Sequence, residues 1–126
     1  MNSLAYDQLF QEEVYHFSAP VAVVLSKSWD AYTSDEQLLL RKILSSVKVD
    51  LKAVQLLSRA SLRLESLKIF SPARVLVFGS EIENDDVPLY QSTPAQGFRV
   101  IRADDLTALD DQRKKSLWNA LRLMFG

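Results

Sequence analysis

Ser26-Lys27-Ser28-Trp29 and Gly79-Ser80-Glu81 each follow an apolar run, and they hold hydroxyls, a cation and a carboxylate. A serine beside a lysine can form a nucleophile–base pair. The plainer reading makes Lys27 a solvated loop lysine paired with Glu81, and surface pairs of that kind are weak. His16 is the only histidine, and it stands in the leading segment between Tyr15 and Phe17. A triad needs its base within reach of the nucleophile, so His16 reads as a surface or packed ring.

Glu81, Glu83, Asp85 and Asp86 could attract a divalent cation, but they lack the spacing and the glycine of a calcium loop. They read as a solvated acidic stretch. Asp104 with Asp105, and Asp110 with Asp111, resemble carboxylate pairs and are better explained as helix caps. A phosphate loop needs closely spaced glycines. The chain has only 3, Gly79, Gly97 and Gly126, in no such pattern. A phosphoacceptor site of the receiver type would want acids after the first strand, where Ser26-Lys27 stands. The absence of cysteine excludes disulfides and thiolate metal sites. No cofactor is therefore expected.

These residues need elements to hold them. Val21 to Leu25 and Val75 to Phe78 are continuously apolar, as strands covered on both faces are. Residues 53–57 and 98–102 are strand candidates interrupted by polar or charged residues, which suits sheet edges. Thr33 with Glu36, or Ser34 with Gln37, offers a capping box. Leu40, Ile43, Leu44 and Val47 then recur at helical spacing. Residues 61–70 read as a second helix, ended by Pro72, and residues 80–97 as a long loop. The last helix carries Leu117, Trp118, Leu121, Met124 and Phe125 on its apolar face.

The order predicts an α/β fold: a three-layer α/β/α domain over residues 20–126, with helices on both sides of a mainly parallel four-stranded sheet. Right-handed crossovers favour the strand order 2-1-3-4. In such a sheet ligands bind outside the carboxyl ends of the strands, where the order reverses. That switch point falls on Ser26–Trp29 and Gly79–Glu81, where neither a base nor a phosphate loop is identifiable.

Residues 1–19 are expected to form an amino-terminal arm. Its apolar and aromatic side chains, Leu4, Tyr6, Leu9, Phe10, Tyr15 and Phe17, can anchor a partner or pack on the chain's own sheet. Trp29 can cap the core or act as an exposed anchor, whereas Trp118 is expected in the core. Asp7, Glu12, Glu13 and His16 argue against a secretory signal, and no apolar run is long enough to span a bilayer. A cytoplasmic protein is expected. The net charge of -1 gives no global attraction to nucleic acid, and Arg113, Lys114, Lys115 and Arg122 read as a solvated helix face.

The strand, loop and leucine-rich helix from Val21 to Val49, the stretch Arg74-Val-Leu-Val-Phe-Gly79, and the ending from Lys115 to Gly126 resemble the psi subunit of bacterial DNA polymerase III. The resemblance covers roughly residues 20–126. It implies the fold of uracil-DNA glycosylases without their chemistry. The sequence agrees: neither Gly-Gln-Asp-Pro after the first strand nor a late His-Pro-Ser is present. It further implies a non-catalytic protein-binding adaptor, whose arm reaches clamp-loader subunits and whose globular part can hold a chi subunit. A small hydrolase or nucleotide-binding enzyme at the switch point, and a homo-oligomeric structural domain, are the alternatives.

Overall fold

The structure, a computed structural model, describes residues 21–83 and 85–125. The arm, with Leu4, Tyr6, Leu9, Phe10, Tyr15 and Phe17, and His16 lie outside the described residues. β1 (Val21–Leu25) is buried at all five positions, as a strand covered on both faces must be. Past a turn at Trp29–Ala31, α1 (Ser34–Ser45) opens with a complete capping box. The Glu36 amide donates to Thr33 Oγ1 at 3.2 Å, and the Thr33 amide donates to Glu36 Oε1 at 2.8 Å. β2 (Val54–Ser58), β3 (Ser61–Arg63), β4 (Arg74–Phe78), β5 (Glu81–Glu83), β6 (Thr93–Ala95), β7 (Phe98–Ala103) and α2 (Asp111–Phe125) complete the elements used below.

The main sheet runs β2-β1-β4-β7-β6. β1 pairs in parallel with β2 on one side and β4 on the other, and β4 pairs in parallel with β7. Among the described residues the sheet has five strands rather than the expected four, and its order differs accordingly. The addition is β6, which lies antiparallel to β7 with Pro94 opposite Arg99. A proline suits an edge strand, where a missing N–H costs no ladder bond. β7 is therefore interior, against the expectation of an edge. Its charges are tolerated because Arg99 donates to Ser92 Oγ and to the Ser92 carbonyl, both at 2.7 Å. Arg102 donates to the Val87 carbonyl at 3.3 Å.

Residues 61–70 are not the expected α-helix. They form β3 followed by a 3-10 helix, Leu64–Phe70. Leu64, Leu67 and Phe70 stand three apart, the period of a 3-10 turn and not of an α-helix. Residues 80–97 are likewise not one loop. β5 pairs with β3 as a small parallel sheet, and β6 joins the main one.

α1 and α2 lie on one face of the main sheet. There Leu40 and Leu44 of α1, with Leu117, Leu121 and Met124 of α2, cover Val23, Leu25, Leu76, Phe78 and Ile101. The opposite face packs Val24, Val77 and Val100 against Leu62, Leu64, Leu67 and Val87. Among the described residues, the layer expected to be α-helical there is built from β3, the 3-10 helix and loop residues instead. Among the described residues no helix is long and apolar enough to cross a membrane.

Candidate functional site

The switch point lies at the carboxyl ends of β1 and β4, and the chain closes it from both faces. On the helical face, Asp105 follows β7 and caps the turn Leu106–Ala108. Its Oδ2 accepts from the Thr107 amide at 3.2 Å and the Thr107 hydroxyl at 2.6 Å. Its Oδ1 accepts from Ser26 Oγ at 2.6 Å and from the Tyr32 hydroxyl at 2.7 Å. On the other face the buried Ser80 hydroxyl donates to the Arg59 carbonyl at 2.5 Å. The Arg59 amide donates to the Leu25 carbonyl at 2.8 Å, so residues 59–60 lie across the ends of β1 and β4.

The electrostatics follow from these bonds. Burial pushes the Asp105 carboxyl up, but hydrogen bonds from Ser26, Thr107 and Tyr32 outweigh it and hold its pKa below the ordinary 3.8. Burial and the Asp105 carboxylate push the Tyr32 hydroxyl up to about 12, against the opposing bond from Ser26. A carboxylate with four donors and a depressed pKa is a poor proton acceptor. Its bonds fix the positions of the Ser26 and Tyr32 hydroxyls.

The expected switch-point residues are thus brought together in part. Lys27 does not pair with Glu81; its ammonium lies 4.7 Å from the centre of the Tyr32 ring. The ring face offers it a cation–π contact. Trp29 is half-buried against the core, and its ring centre lies 6.4 Å from that of Tyr32. Glu83 accepts a hydrogen bond from Ser61. Among the described residues no group of three acids or histidines converges to hold a metal ion. Asp110 caps α2, accepting from the Arg113 amide at 2.8 Å. Asp104 accepts from Tyr90 and pairs with Arg113 at 3.2 Å.

A second site lies between the two α-helices. Leu39 and Ile43 of α1 and Leu117 and Leu121 of α2 line a groove of about 360 Å³. Trp118 forms one wall and is 44% exposed. This corrects its expected place in the core: Leu117 and Leu121 take the buried stripe of α2, and Trp118 is rotated one residue out of it. Arg122, one turn on, stacks over the indole at 4.6 Å. Lys42, Lys114 and Lys115 rim the groove.

Sequence reasoning missed Tyr32, whose phenol supplies one donor to Asp105. Asp105 itself was legible as a cap, and its place two residues after a strand of the sheet was the available signal for more. Comparison with family models, curated protein sequences and solved structures gives no match.

Proposed function

We propose that this chain is a non-catalytic protein-binding adaptor, a psi-like accessory subunit of the DNA polymerase III clamp loader. The observation that carries the binding half of this reading is the apolar groove between α1 and α2, with Trp118 standing half out of the fold. A large, rigid aromatic beside an apolar floor is the usual anchor of a protein interface. The non-catalytic half is supported by the switch point, where the hydroxyls of Ser26 and Tyr32 are committed to Asp105. The replisome assignment rests on the resemblance of residues 20–126 to the psi family.

Pull-down with the tagged full-length chain tests the reading. Clamp-loader subunits should be recovered with the native chain and with Ser26→Ala. Recovery should fall with Trp118→Ala, a change that leaves the circular dichroism spectrum intact. A folded native chain that recovers no clamp-loader subunit rejects the assignment. A chain that recovers them equally with Trp118→Ala moves the interface away from the groove.

A further inference from the structure

The charges around the groove select the kind of partner it takes. Lys42, Lys114 and Lys115 stand on its rim, and among the described residues no acidic side chain lines it. Among the described residues none of these three lysines forms an ion pair. The depression continues past Ser46 to Val47 and Phe125, where Lys48 and Arg122 are the charged lining residues. At the other end Asp35 and Glu36 line an adjoining hollow with Lys42 and Lys114. Glu36 is already committed to the capping box.

Unpaired cations on both sides of an apolar floor repel each other and attract carboxylates. From Lys114 to Phe125, α2 is about 16 Å long at 1.5 Å per residue, which matches a partner helix of about three turns. Helices dock in such grooves through apolar side chains at i, i+3, i+4 and i+7. We infer that the groove between α1 and α2 receives an acidic amphipathic helix of about three turns, supplied by a partner protein. Its apolar stripe packs on Leu39, Ile43 and Trp118, and its flanking carboxylates face Lys42, Lys114 and Lys115. This inference rests on the groove being the interface, and names the chemistry of what fills it.

A nucleic acid would also be drawn to lysines beside a tryptophan. The observations favour the peptide, because the floor is lined by aliphatic side chains and, among the described residues, Trp118 is the single aromatic in the main groove.

The test is a display selection of random 14-residue peptides on the full-length chain, with binders measured by fluorescence anisotropy. The expected winners carry a net negative charge and apolar residues at helical spacing. Their binding should weaken at least tenfold with Lys42→Glu plus Lys115→Glu, and with Trp118→Ala. It should be unchanged with Lys68→Glu, on the opposite face. Basic or uncharged winners that still depend on Trp118 overturn the acidic partner and leave the groove as the interface. Selection that yields nothing dependent on Trp118 overturns both. Tighter binding of a 20-nucleotide single strand, of a synthetic peptide of residues 1–20, or of a second copy seen by light scattering would each hand the groove to another occupant and overturn the proposal.

Discussion

Gly79 passes so close to Asp105 that a Cβ on the glycine would stand 2.7 Å from the Asp105 Cβ. The two residues follow neighbouring parallel strands, β4 and β7, and the Gly79 amide donates to the Ala103 carbonyl at 2.9 Å. Gly79 also has φ of 79°, in the region that side chains disfavour. Gly79→Ala should therefore destabilise the fold by about 2 kcal/mol or more, from strain and clash together. Gly97 has φ of 89° and open space around it. Gly97→Ala should cost only the conformational penalty, about 1 kcal/mol. Urea unfolding of the two variants checks the difference, and equal losses would contradict the close approach at Gly79.

Asp105 joins the ends of β1 and β7 through Ser26, Tyr32 and Thr107, so its charge contributes to stability. Its folded pKa lies below 3.8. A depressed carboxyl pKa adds stability that is complete above the unfolded value, about 4, and is lost as pH falls through the folded value. Asp105→Asn should lower stability at pH 7 by about 1–3 kcal/mol, since the new amide turns N–H groups toward the donors of Thr107 or of Ser26 and Tyr32. The gap between native chain and variant should narrow below about pH 4. Urea midpoints measured from pH 7 to pH 3 decide it; a constant gap would remove Asp105 as the acid-sensitive group.

Tyr32 and Tyr90 make the complementary prediction in alkali. Burial, and then the bonds to Asp105 and Asp104 respectively, push each hydroxyl from 10.0 up to about 12. Protonated phenol is favoured by the fold, so this stabilisation is full below pH 10 and is lost as pH rises toward 12. Tyr32→Phe and Tyr90→Phe should each flatten the fall of stability above pH 10. Absorbance at 295 nm should show each variant losing a late-titrating phenol. A variant that loses an early one instead would place that hydroxyl in solvent.

Much of this arrangement is legible in the residues, and the exceptions have physical causes. Val21–Leu25 and Val75–Phe78 announce interior strands because both faces must be apolar. Thr33 and Glu36 announce the start of α1 because the cap is a local bond. Arg99 and Arg102 mislead, since the groups that satisfy them, at Ser92 and Val87, are set by a chain reversal invisible in the strand itself. Leu64, Leu67 and Phe70 carry their 3-10 period openly, but a stripe three apart is easily taken for a ragged α-helix. Tyr32 could not be joined to Asp105 without the fold, because 73 residues separate them.

Trp118 and Leu117 are neighbours on α2 that differ in burial, and this gives the sharpest separation of stability from binding. Leu117 is 1% exposed in the core under α2, whereas Trp118 is 44% exposed. Leu117→Ala should cost about 2–5 kcal/mol by leaving a cavity in a packed interior. Trp118→Ala removes a side chain whose neighbours are Arg122 and the open groove, so its cost should stay near 1 kcal/mol or below. Its fluorescence should also respond to whatever fills the groove, with a blue shift on burial of the indole. Guanidinium unfolding of both variants, with tryptophan emission of the native chain and a Trp29→Phe control, checks each half. If Trp118→Ala destabilised the fold as much as Leu117→Ala, the indole would be part of the core, and its half-exposed position could not serve as an anchor held ready for a partner.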